Sequence, residues 1–192
     1  MVYSRITIAL PLAVLVFLAS TVHAQFYPPA FDYRHYPPIH HDVPFHAQNT
    51  IVWCWVAVAK MVAEYYSRGP VPSQCEMLER HYGYPCCASP MGCTRPGHIV
   101  EVQGLLGHFG RRGSTLAPPA NGFALYDALR RGPIILHTTQ GGGHFIVATG
   151  MRLQPSPMGP LGIVLVHDPI YGRQSIEFPR LMNIWSAAVL VQ

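Results

Sequence analysis

The sequence predicts an α+β fold, with helices first and antiparallel strands after. Three observations predict it. Up to Gly132, apolar residues recur at helical spacing. Beyond Gly132, short β-branched runs alternate with turns. The 192 residues are 49% hydrophobic and 11% charged, enough apolar side chain for one core and too little charge for a disordered chain. Helices followed by strands, rather than alternating with them, is the α+β pattern.

The chain begins with Arg5, an apolar stretch from Ile6 to Ala19, and Val22-His23-Ala24. A basic residue, a short apolar run and a small-x-small site predict a signal peptide over residues 1–24, cleaved near Ala24. The run is shorter than the ~20 residues of a spanning helix, and Pro11 interrupts it. No later segment is apolar enough to span a bilayer, so the mature chain is expected to be secreted or periplasmic and off the membrane. Its formal charge of +4 drops by one with Arg5. The basic residues form no stripe with interleaved aromatics, which argues against nucleic acid as a partner.

Residues 25–42 are rich in Pro, Tyr and His and read as an extended arm without its own core. His35, His40 and His41 lie there with no spacing that implies a ligand geometry, so no metal and no cofactor is expected. The remaining residues, 43–192, form one domain.

Asn49 or Thr50 is placed to cap a helix starting near Trp53 and continuing through Val56, Ala59, Met61, Val62 and Tyr66 to the stop at Gly69-Pro70. It is apolar nearly all round and should be buried. Ser73-Gln74-Cys75-Glu76 is a capping-box pattern for a second helix. A third is expected from about Pro96 to Phe109, and a fourth from Gly122 to Gly132. Strands are expected at Ile134–His137, His144–Thr149, Ile163–His167, Gln174–Phe178 and Ala187–Val191.

The five cysteines are Cys54, Cys75, Cys86, Cys87 and Cys93. In an exported chain the four clustered ones favour disulfides over a zinc site. A bond between the neighbours Cys86 and Cys87 would strain the peptide between them. Cys75 therefore pairs with one of the two and Cys93 with the other. Cys54 is the odd one, and an odd cysteine in an exported protein is a candidate reactive thiol.

Cys54 falls at the start of the buried helix, where free N–H groups and the helix dipole stabilise a thiolate. Gln48, six residues earlier, can offer an amide to a developing oxyanion beside the N–H of Cys54. A thiolate nucleophile needs an imidazole. His144 follows three glycines, which let the backbone approach another element closely. Asp168 ends the next strand, and antiparallel pairing can bring it to His144 as the orienting third group. His98, His108, His137 and His167 carry no such signal and are expected to be structural.

The segment Gln48-Asn49-Thr50-Ile51-Val52-Trp53-Cys54-Trp55 resembles the nucleophile motif of papain-like cysteine peptidases. Gly141-Gly142-Gly143-His144-Phe145-Ile146-Val147 and Val166-His167-Asp168-Pro169 are similar to the His and Asp motifs of a bacterial subset of that class. The subset includes the peptidase domains of bacteriocin exporters and AvrRpt2-like effector peptidases, and the cysteine-rich stretch from Ser73 to Gly97 is closer to the latter. The resemblance runs from about Val43 to Gln192. It implies a helical lobe and an antiparallel sheet or half-barrel lobe with the site between them. It also implies Cys54 as nucleophile, His144 as general acid–base, Asp168 as its orienter and Gln48 in the oxyanion hole. The chain departs from the class in the Pro- and Met-rich insertion Arg152–Pro160, and its arm is far shorter than papain's inhibitory prosegment.

The expected activity is hydrolysis of peptide bonds in a protein or peptide by a monomer, through an acyl-enzyme. The same triad would serve a cell-wall peptide amidase or an acyltransferase. A silent binding module on the same fold is the third alternative.

Overall fold

A computed structural model of the chain describes residues 32–67 and 69–191. The segment read as a signal peptide, and the first part of the arm, lie outside them.

Helix α1 (Cys54–Tyr66) is buried on nearly every side, as its apolar sequence demands. Neither Asn49 nor Thr50 caps it. Trp53 occupies the N-cap position without a side-chain cap, and Thr50 contributes only its carbonyl, which accepts from Trp53 N at 3.2 Å. The backbone N–H of Asn49 donates to Gln74 Oε1 at 3.0 Å. Helix α2 (Gln74–Tyr82) starts on the expected capping box, with Ser73 N donating to Glu76 Oε2 at 2.8 Å, and ends at Gly83 with φ +75°. Helix α3 (Ile99–Gly107) begins three residues later than Pro96. Gly97 there lies flat against the Trp55 ring, with no room for a side chain, and Glu101 caps the N–H of His98. Helix α4 (Gly122–Leu129) is capped by Asn121, whose Oδ1 accepts from Ala124 N at 3.0 Å.

The strands are β1 (Ile39–His40), β2 (Gly113–Leu116), β3 (Ile134–Thr138), β4 (His144–Gln154), β5 (Leu161–Asp168), β6 (Gly172–Glu177) and β7 (Trp185–Val191). They form one sheet in the order β2-β7-β3-β4-β5-β6, every pair antiparallel. β1 pairs with β4 through Ile39↔Met151 and His40↔Gly150. The end of the arm is therefore part of the sheet. His41 is no solvated residue: it bonds Tyr65 Oη at 2.9 Å and the Leu129 carbonyl at 2.7 Å. Arg152–Gln154 extend β4, which leaves residues 155–160 as the tip of the β4–β5 hairpin.

Besides β1, two further elements depart from the sequence expectation. β2 is an edge strand on β7. Helix α5 (Phe178–Ile184) starts at the end of the strand read through Phe178; Pro179 in its first turn suits a helix start.

Strand alternation assigns each sheet face a layer. Ile135, Phe145, Val147, Val189 and Val191 join α1, α2 and α3 in one core. Ile134, Leu136, Ile146, Ala148, Val164, Val166, Ala188 and Leu190 join α4 and α5 in the other. The helical lobe is thus α1–α3, and α4 backs the sheet instead of joining that lobe. The fold is α+β.

Candidate active site

The site forms where the N-terminus of α1 meets the start of β4. Cys54 is the first residue of α1, 9% exposed, and is the free cysteine. The other four form Cys75–Cys87 and Cys86–Cys93, with Cα–Cα distances of 4.9 and 5.6 Å. This is one of the two pairings that the adjacency of Cys86 and Cys87 leaves open. Among the described residues no cluster of His, Cys, Asp or Glu fits a metal ion.

His144 enters at the head of β4 after Gly141, Gly142 and Gly143, whose φ values are +59°, +85° and +124°. Three successive left-handed residues are open only to glycine, and the turn they make delivers the histidine to the helix tip. Thr138 Oγ1 donates to the His144 carbonyl at 3.2 Å and anchors the strand end to β3. Asp168 ends β5, which runs antiparallel beside β4 with Val147 opposite His167. That register brings Asp168 Oδ1 to 2.9 Å from His144 Nε2. The same oxygen accepts from the backbone N–H groups of Ile170 at 2.8 Å and Tyr171 at 3.1 Å. Both partners are buried, His144 7% and Asp168 4% exposed.

Burial by itself would lower the pKa of the imidazole. Hydrogen bonds to Asp168 and to the Cys54 thiol, with the charges of both, outweigh burial and raise it to about 9. Burial by itself would raise the carboxyl of Asp168. The bond from His144 and the N–H groups of Ile170 and Tyr171 overcome that and hold it below the ordinary carboxylate value. With Nε2 on Asp168, Nδ1 is the ring nitrogen left for the thiol. The structure therefore bonds His144 to Asp168 and places the Cys54 thiol near enough to the imidazole to raise its pKa.

Gln48 is close in sequence but not in the groove wall. Its backbone N–H donates to the Pro169 carbonyl at 3.2 Å, beside Asp168. Its Nε2 donates to the Thr50 carbonyl at 2.7 Å, and its buried Oε1 has no partner among the described residues.

The thiol and imidazole open into a groove of about 670 Å³. One wall is Ile51, Val52, Pro96, Gly97 and His98; the other is His137, the glycine turn, Ile170 and Tyr171. Neither wall carries Lys, Arg, Asp or Glu. His98 and His137, read as structural, line this groove. His137 is pushed below its ordinary value by burial and by the neighbouring His98 and His144. No sequence signal separates them from other histidines, since their faces are set by tertiary packing. His167 lies away from the groove, edge-on to Phe45 at 5.8 Å, and burial lowers it to about 4 with help from Arg173 and His40.

The profile of a family described as papain-like cysteine protease AvrRpt2 matches residues 37–182. Solved structures share the fold. A double-glycine-motif protease from an AMS/PCAT transporter, in complex with the leader peptide, is 18% identical with a TM-score of 0.52 over 80% of this chain and 96% of that one. The peptidase domain of Streptococcus ComA, a bifunctional ABC transporter of a quorum-sensing pathway, is 16% identical with a TM-score of 0.58 over 79% and 98%. No curated protein matches the sequence. The start of the family match at residue 37 takes in β1, in keeping with its place in the sheet. On the match across most of its length, the chain belongs to the AvrRpt2 family of papain-like cysteine proteases.

Proposed function

We propose that the protein is an exported, monomeric peptidase that cleaves peptide bonds through a Cys54–His144–Asp168 triad. The observation that carries this reading is the free thiol at a helix N-terminus, beside an imidazole whose Nε2 is held by a buried carboxylate, with thiol and imidazole lining one open groove. Cys54 Sγ attacks the carbonyl carbon of the scissile bond. His144 gives its proton to the leaving amine as the C–N bond breaks, leaving a thioester on Cys54. His144 then takes a proton from water, the hydroxide displaces the thiolate, and the acid product departs. The raised pKa of His144 supports the first half-reaction, because the imidazole is protonated at neutral pH. The complex of a fold relative with a leader peptide is in keeping with a peptide in the groove.

Two disulfides support export, since such bonds persist in oxidising compartments. One experiment tests export and substrate together. Protein recovered from the periplasm or medium of expressing cells should begin near Gln25, hydrolyse casein and leave peptidoglycan fragments intact. An uncut chain confined to the cytoplasm would end the export reading. Cleavage of peptidoglycan fragments alone would favour the amidase, and turnover of neither would favour a binding module.

For the oxyanion we assign the backbone N–H of Cys54 and the second N–H of Gln48 Nε2, the first being held by Thr50. Gln48→Ala should lower kcat on the order of 10²–10³ while KM moves little. Unchanged kcat would remove Gln48 from the site.

A further inference from the structure

Cys54 sits between two fully buried tryptophans, and both indoles are tied to the same loop. Trp53 Nε1 donates to the Cys93 carbonyl at 3.0 Å, and Trp55 Nε1 donates to the Arg95 carbonyl at 3.1 Å. The two acceptors are themselves linked, with Arg95 N donating to the Cys93 carbonyl at 2.9 Å. One residue past Pro96, Gly97 is flush with the Trp55 ring. The N-terminus of α1 has no side-chain cap, and these contacts join core packing and the Trp53 N–H bond to the Thr50 carbonyl in holding its tip.

The loop itself, residues 83–98, contains a single 3-10 turn, Pro90–Cys93, and neither helix nor strand. Its shape depends on its disulfides. Cys86–Cys93 is fully buried in the same core as Trp53, Cys54 and Trp55. Cys75–Cys87 ties the loop to the first turn of α2, half-buried at Cys75 and exposed at Cys87. The loop leaves the core through Pro96, Gly97 and His98, which form the groove wall beside Cys54.

We propose that the disulfide-stapled loop is a positioning element for the nucleophile, acting through the indole N–H groups of Trp53 and Trp55. This rests on the reading of Cys54 as nucleophile. His144 is carried by the sheet and Cys54 by α1, so the thiol–imidazole contact depends on how the helix tip is held against the sheet. A displacement of about 1 Å is enough to cost about 10²-fold in rate. The chain consequently makes opposite demands on its thiols: Cys54 must stay reduced while the other four cysteines stay oxidised. A dithiol reductant that converts Cys86–Cys93 to two thiols, itself closing to a cyclic disulfide, releases the carbonyl that Trp53 grips.

The test uses the oxidised mature chain, in which Cys54 is the free thiol, with Cys54→Ala as the labelling control. Trp53→Phe and Trp55→Phe keep an aromatic ring and delete the N–H donors. Cys86→Ala/Cys93→Ala keeps both indoles and unstaples the loop, and Cys75→Ser/Cys87→Ser removes the outer bond only. For the first three, the rate constant for alkylation of Cys54 by iodoacetamide and kcat should both fall about 10–100-fold. KM should change less than about 3-fold, and the outer-bond variant should show the smaller loss. A purely structural role would lower Tm and leave the reactivity of the folded protein unchanged. Folded variants that alkylate at the wild-type rate overturn the proposal, and so does a set in which every variant fails to fold. If the wild type hydrolyses no peptide, the functional reading fails, yet the alkylation rates still report on the loop.

Discussion

Cys54→Ala should abolish peptide hydrolysis, a fall on the order of 10⁶ in kcat, with the fold intact. Alanine suits the first turn of a helix, and the side chain removed is a single sulfur at a site 9% exposed, so Tm should shift by no more than a few degrees. The variant should also change its neighbour. The Cys54 bond and charge help raise His144 to about 9; without them the imidazole should titrate lower, which NMR of the His144 ring can follow. Retained turnover would overturn the mechanism. Lost turnover with an unmoved imidazole would mean that thiol and ring do not meet in solution.

The places of Cys54, His144 and Asp168 in the fold are legible in the sequence because each carries a local mark that tertiary structure has no means to erase. Cys54 is left over when the clustered cysteines pair, and it stands where a buried helix must begin. His144 follows a glycine triplet whose left-handed backbone is needed for the turn. Asp168 ends the next strand, antiparallel to the one that His144 opens, so pairing alone predicts its approach. Gln48 lacks such a mark. Its spacing from Cys54 predicts an amide near the oxyanion, but a two-residue local bond to Thr50 competes for its donor, and no pattern announces that competition.

The elements missed share a cause. β1 has two residues, and its partner on β4 lies more than a hundred residues downstream, so no periodicity exists to read. β2, Gly-Ser-Thr-Leu, has no apolar alternation and gains its identity from β7. α5 is hidden because Phe178 continues the pattern of β6 until Pro179 turns the chain. Pro96-Gly97 looks like a helix entry in the sequence, whereas in the fold Gly97 is spent on contact with Trp55 and α3 begins at Ile99. Elements defined by their own side chains were visible, and those defined by a distant partner were not.

Asp168→Ala and Asp168→Asn should part company sharply. Asp168 Oδ1 accepts from three donors: His144 Nε2 and the N–H groups of Ile170 and Tyr171. Alanine strands all three and leaves an unpaired imidazole in a buried site, at a cost of about 3–5 kcal/mol and on the order of 10⁴ in kcat. Asparagine retains a carbonyl oxygen able to accept the same bonds, so orientation survives and the loss should be far smaller. What asparagine removes is charge. Because the carboxylate helps raise His144 to about 9, the alkaline limb of kcat/KM, which in the wild type should fall near pH 9, moves to lower pH in Asp168→Asn. Stability follows the same signs. The raised imidazole contributes fully below its ordinary 6.5 and loses that contribution as pH climbs through about 9. The depressed carboxyl contributes above its ordinary 3.8 and loses that contribution as pH falls through its lower folded value. The Tm difference between wild type and Asp168→Asn should therefore be widest between pH 3.8 and 6.5 and shrink at either side. An alkaline limb that stays put in Asp168→Asn would show that the carboxylate charge does not act on His144, and equal kcat in both variants would remove Asp168 from the mechanism.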